Sequence, residues 1–323
     1  MDTINNLTQP VENLLVQRAK AAERSGDASQ FSAVDLDASV IEAAAITHPV
    51  LVLKYAAQQL SAKSLAAAAA AEPWCALEYA AQFLSADSLT DAAKAEPSDA
   101  LVFAAQHLSA ESLAAAAAAK PRRALKFAAQ YISAESLAKA AVAQPIYALK
   151  YAAQYLSANS LAKAAIDDPC NALEYAAQFL STESLATAAA ARPWSALHDA
   201  AKHLSAESIA AAAVAAPRCA IENAAQYLTK EFLAKAAADD PATALRCAAE
   251  FLSAESLAAA AAREPWAALR YAAKFLSVES LERAAITTPR GALECASEHL
   301  TPELLKQVQA LMAQPQKLKS LGM

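Results

Sequence analysis

Glycine is almost missing from this 323-residue chain, which has Gly26, Gly291 and Gly322 and no others. That excludes the glycine-rich loops that cradle phosphates and dinucleotides. Aromatic residues make up only 6%, a composition poor for sheet. A basic excess is lacking too. Twenty-seven Lys and Arg stand against 33 Asp and Glu, for a net charge of −6. Nucleic-acid binders are usually basic, so only a local basic stripe could serve that purpose. Cys75, Cys170, Cys219, Cys247 and Cys295 are odd in number and scattered. They form no Cys-x-x-Cys or Cys/His spacing for zinc. They read as buried apolar thiols in a reducing, cytoplasmic compartment. No apolar run has a secretory pattern or could span a membrane. No nucleophile–base motif is present.

Proline, by contrast, keeps time. Pro49 recurs as Pro73, Pro97, Pro121, Pro145, Pro169, Pro193, Pro217, Pro241, Pro265 and Pro289, always at the same interval. Around each one a phrase returns, such as Leu-Ser-Ala-Glu-Ser-Leu-Ala at 108–114 and Ala-Leu-Lys-Phe-Ala-Ala-Gln-Tyr at 124–131. Such a register suits a stack of modules, each burying its apolar face on the next. Within one module Ser109 reads as an N-cap, with Glu111 in the first turn of a helix. Leu113, Ala116 and Ala117 make its apolar face. Pro121 ends that helix near Lys120 and opens a second of about ten residues. The second helix buries Leu125, Ala128, Ala129 and Ile132, flanked by a stripe of Phe127 and Tyr131. The fold class is therefore all-α: an α-solenoid, a superhelical stack of about eleven 24-residue helix–turn–helix repeats forming one array. Residues 1–35 read as an N-terminal capping segment, with an amphipathic helix at 9–24. Repeats fill 36–299, and 300–323 form a capping helix with a frayed tail from Pro315. Small residues at one site, from Ala69 through Ala117 to Ala285, set the helix spacing; Gln309 takes that site in the last helix.

Comparing repeats separates scaffold from free surface. The residue after each proline varies most (position 1), with the next residue (position 2) and the fifth (position 5) close behind. The candidate partner-binding residues on this edge are Trp74, Arg122, Arg123, Tyr147, Trp194, Arg218, Trp266 and Arg290. Large aromatics and Arg are the usual anchors of interfaces; drift at a tolerant site is the plainer alternative. Lys120, Arg122, Arg123 and Lys126 form the densest basic cluster, suited to an anion or to solvent. Gln58, Gln82, Gln106, Gln130, Gln154, Gln178 and Gln226 share one site and suggest a hydrogen-bonded ladder. His107, His203 and His299 read as packed rings. His198 and His203 fall on different helix faces. Asp168 and Asp240 precede prolines and read as caps.

The Ala-Leu-x-Tyr-Ala-Ala-x-x-Leu phrase at 76–84, with its preceding proline, resembles a bacterial family of short two-helix repeats of unknown function. The 24-residue length is similar to that of the leucine-rich-repeat variant α-solenoids. Leu300-Thr301-Pro302-Glu303-Leu304 also resembles the opening of repeats in the transcription-activator-like DNA readers, but those repeats are longer and carry a Gly-Gly-Lys loop that is missing here. None of these resemblances implies catalytic residues.

The expectation is thus a non-enzymatic scaffold that binds a protein or peptide along the variable edge. It needs no cofactor or metal and no membrane. The alternative is a modular nucleic-acid reader. The Thr-, Asn- and Gln-rich stretch Met1–Gln9 further suggests a leader for export into a host cell as an effector.

Overall fold

The computed structural model describes the chain continuously from Asp37 to Ser320, with side chains as far as Ala313, and before that only Val16, Gln17 and Arg24. The cap read at 1–35, its helix at 9–24 and the leader at Met1–Gln9 therefore lie outside the described residues, apart from those three. All described elements are helical, and pairs of helices recur at the proline spacing.

The joint within each pair is a single residue. Ala110–Ala119 forms the first helix of one pair, and Pro121 is already the first residue of the second. Lys120 between them has φ −135° and ψ 64°. Proline's ring disfavours a helical residue before it. Lys120 nonetheless wastes neither backbone group. Its N–H donates to the Ala116 carbonyl at 2.9 Å, and its own carbonyl accepts from Ala124 N–H at 3.0 Å. The return joint is two extended residues, Leu108 (φ −77°) and Ser109 (φ −64°). All these φ angles are negative and open to ordinary residues, which explains how the chain folds with so little glycine.

Most first helices start in the same way. Ser109 Oγ accepts from Ser112 N–H at 3.1 Å and donates to Ser112 Oγ at 3.0 Å. The same Ser-x-x-Ser box holds at Ser85/Ser88, Ser133/Ser136, Ser205/Ser208 and Ser277/Ser280. A cap of this kind stabilises its helix by about 1 kcal/mol. Short helices need that, because ten residues are marginal alone.

The second helices are shorter than the expected ten residues. Ala104 (φ −114°, ψ 2°) and Ala152 (φ −120°, ψ 2°) break them, and a 3-10 turn follows at Ala105–His107 and Ala153–Tyr155. That break lets the chain turn back within a single repeat. Just before it, Ala100–Ala104, Ala124–Ala128, Ala148–Ala152 and Ala268–Ala272 widen into π-helical turns. Each of these carries Tyr or Phe at its fourth position. Where Asp199, Asn223, Cys247 or Cys295 stands there, the helix stays α-helical. Tyr55, in Pro49–Tyr55, is an exception.

Tertiary contacts divide the chain into two compact units, one through Asp167 and one from Asp168. The boundary falls between the two helices of a single repeat. Inside each unit helix pairs pack on their sequence neighbours. In the first unit, Leu101, Leu125 and Leu149 are fully buried with Leu113 and Leu137 beside them. In the second, Leu197, Leu245 and Leu269 play the same part. The expected alanine sites are buried, Ala117 and Ala141 in the first unit and Ala213 and Ala285 in the second. In the last helix, Pro302–Ser320, Val308 is buried and Gln309 is exposed. This helix runs on through Pro315, beyond the start of the expected frayed tail.

Ala117→Leu is expected to cost ~1–3 kcal/mol by overpacking the neighbouring layer. Ala115→Leu, two residues away and exposed, is expected to change stability by less than about 0.5 kcal/mol. Urea denaturation of the two variants checks the contrast.

Candidate functional site

A helix brings residues four apart onto one face, so positions 1 and 5 after each proline share a stripe. In both units that stripe is solvent-facing. Trp74 is 41% exposed in the first unit; Trp194 and Trp266 are 57% and 42% exposed in the second. Arg122 and Arg123 are exposed in the first unit, as are Arg218 and Arg290 in the second. Tyr147 is half-buried.

Position 2 behaves differently and corrects the expected edge. Cys75, Ser195, Cys219, Thr243, Ala267 and Gly291 are buried there, and in that row only Arg123 is exposed. Variation at this position is a matter of packing, since it faces position 1 of the preceding repeat. Cys75 Sγ donates to the Val50 carbonyl at 3.6 Å, and Cys219 Sγ donates to the Trp194 carbonyl at 3.5 Å. Cys170 and Ser195 meet at 3.4 Å. The Arg122 guanidinium lies 4.5 Å from the centre of the Tyr147 ring. An added Cβ on Gly291 would stand 2.9 Å from Cδ1 of Trp266. Every one of these contacts joins position 1 of one repeat to position 2 of the next. The seam explains the sole glycine among the described residues: it makes room for an indole.

Side chains along the stripe pair in several ways. Trp194 stacks on His198 at 4.8 Å, and Arg270 lies 4.9 Å from the Trp266 ring centre. Trp74 Nε1 donates to Glu72 at 2.9 Å. Arg218 pairs with Glu222 at 3.2 Å, Arg246 reaches the same carboxylate at 2.9 Å, and Arg290 pairs with Glu294 at 2.7 Å. The Glu294 bond holds the Arg290 guanidinium above its ordinary range.

Several expectations fail in the structure. The Gln side chains form no ladder among the described residues. They are exposed on the turns, and Gln106 bonds only to its neighbour His107. His107, His203 and His299 are exposed, not packed, because the 3-10 turn points them outward. Of the thiols, only Cys75 and Cys219 are buried; Cys170 is exposed and the other two are half-buried. The Asp caps do form. Asp168 accepts from Asn171 N–H and Asp240 from Thr243 N–H, and the latter bond holds the Asp240 carboxyl below its usual range. His198 Nδ1 lies 2.6 Å from Asp199.

A cleft around Phe232 is a feature the repeat pattern does not predict. Phe232 takes the place of the second Ser in the capping box, with Thr229 as cap. Together with Ile221 and the 75%-exposed Val214 it lines a cleft of about 630 Å³ in the second unit. The missing Ser was the available signal. Among the described residues no three His, Cys, Asp or Glu side chains gather as a metal site, and no helix is long and apolar enough to cross a membrane. The chain matches no family model, no curated protein and no solved structure.

Gly291→Ala is expected to displace the Trp266 indole. Helix propensity returns about 1 kcal/mol against an overpacking cost of ~1–3 kcal/mol, so net destabilisation stays under about 2 kcal/mol. The displacement is read as a red shift of Trp266 emission in a Trp74→Phe, Trp194→Phe background.

Burial, reinforced by Glu78 and Glu72, pushes the Cys75 thiol up from 9.0 to about 11. The folded state therefore favours the neutral thiol. That contribution is whole below pH 9 and lost as pH rises through 11. Cys75→Ala is expected to flatten the stability–pH curve in that window. In native protein, thiol alkylation is expected to take Cys170 before Cys75.

Proposed function

We propose that this chain is a non-enzymatic repeat scaffold that binds a protein or peptide through the position 1 and 5 stripes of its two units. The observation that carries the reading is the exposure of three Trp at one repeat site, Trp74, Trp194 and Trp266. Ser98 and Ala242 at the same repeat site show that a small residue suffices there. Exposed rings of this size are typical anchors of an interface. Arg218 and Arg290, held by Glu222 and Glu294, are pre-ordered on the same stripe of the second unit. Kinship with the bacterial two-helix repeats remains part of this proposal, as does a role as a secreted effector.

Peptides selected from a displayed library on the full chain test the reading. Trp74→Ala, Trp194→Ala and Trp266→Ala together are expected to weaken a selected peptide by about 30-fold or more, the effect of losing one hot-spot anchor. Unchanged affinity in a folded variant would sink it. A nucleic-acid reader would instead bind an oligonucleotide with affinity falling steeply as salt rises.

A further inference from the structure

Between Lys120 and Lys150 the chain carries six basic residues and one acid, Glu135. That acid is taken by Lys139 at 2.7 Å on the first helix. On the neighbouring second helices the cations are differently placed. Arg122 and Lys126 occupy positions 1 and 5 of one repeat, the sites that hold Arg218 with Glu222 and Arg290 with Glu294 in the second unit. Here both members are cations. Like charges four apart on a helix repel, and Arg123 adds a third. Asp99 and Glu96 stand one repeat earlier, yet none of the three cations makes an ion pair among the described residues. They lie against rings instead: Arg122 on Tyr147 at 4.5 Å, Arg123 on Phe127 at 5.6 Å, and Lys126 on Phe127 at 4.9 Å and Tyr151 at 5.5 Å. The rings hold the cations in place without neutralising them.

We infer that Arg122, Arg123 and Lys126 form a docking patch for a short acidic peptide segment. This rests on the proposed function and names the chemistry of one partner. A carboxylate-rich chain supplies the counter-charge that Glu supplies at the equivalent sites of the second unit. An Arg fork suits a carboxylate well. Arg122 and Lys126 reach the next layer, onto Tyr147 and Tyr151, and layers about 10 Å apart in helix packing are crossed by roughly three extended residues. It is too short for a nucleic-acid track, because Glu72, Glu78, Glu96 and Asp99 occupy the preceding repeats of the same unit. Its ring faces are also covered by cations, which leaves little platform for stacked bases.

The test uses the full chain and fluorescein-labelled hexaglutamate, with hexaglutamine and a dT12 strand as comparisons, at low salt. Hexaglutamate is expected to bind at least tenfold tighter than hexaglutamine, and Arg122→Gln with Lys126→Gln is expected to remove that preference. Lys63→Gln with Lys163→Gln, exposed cations on first helices of the same unit, is expected to leave it intact. Lys126→Glu separates binding from folding. It gains the intrahelical pair that the second unit already has, so it should melt no lower than the wild type while losing hexaglutamate at least tenfold. Equal binding of the two peptides would overturn the proposal, as would binding indifferent to Lys126→Glu. Tighter binding of dT12 than of hexaglutamate would overturn it in favour of a phosphate backbone. The triple Trp variant keeps this cluster. A library peptide that still depends on the Trp residues, beside failed hexaglutamate binding, would sink only the acidic-peptide proposal.

Discussion

The fold hangs on the residue before each proline. Proline removes an N–H and bars its predecessor from the helix, yet Lys120 and its counterparts still use both backbone groups, one toward each helix. A joint of one residue has almost no freedom. It sets the angle between the helices of a pair, and with the angle fixed, small residues such as Ala117 can be matched to their neighbours. A longer joint would loosen the spacing on which the buried alanine sites depend.

That constraint made much of the fold legible. Proline spacing, the Ser caps and the Leu and Ala faces follow from local chemistry, so Ser109, Leu113 and Leu125 fall where the pattern puts them. The break at Ala104 and Ala152 was hidden. An Ala-Ala pair looks like good helix, and only the need to turn back within the repeat bends it. The division of contacts at Asp167 was hidden as well, since nothing in the sequence changes there.

The candidate surface was half legible. Variation marked positions 1, 2 and 5 alike, but variation arises both from freedom and from matched packing. Trp266 and Gly291 fit each other, because one fills the space the other leaves. Trp194 and Arg218 vary where solvent permits it. The Gln site misled for a related reason: a repeated residue suggested a shared bond, while the turn that carries it merely faces water. Charge was readable as a list of cations between Lys120 and Lys150. That Arg122, Arg123 and Lys126 lie on rings needed the geometry.

The seam between successive repeats carries a consequence for how such a chain can change. A repeat is not a free-standing bead. Its outward residue after the proline touches the inward residue of the repeat that follows, as Trp266 does with Gly291 and Arg122 with Tyr147. Exchanging one whole repeat for another would leave both of its seams mismatched. A segment that keeps a seam whole therefore runs from the outward residue of one repeat to the inward residue of the next, as from Trp266 to Gly291, so that both of its ends fall within second helices and not at the loop.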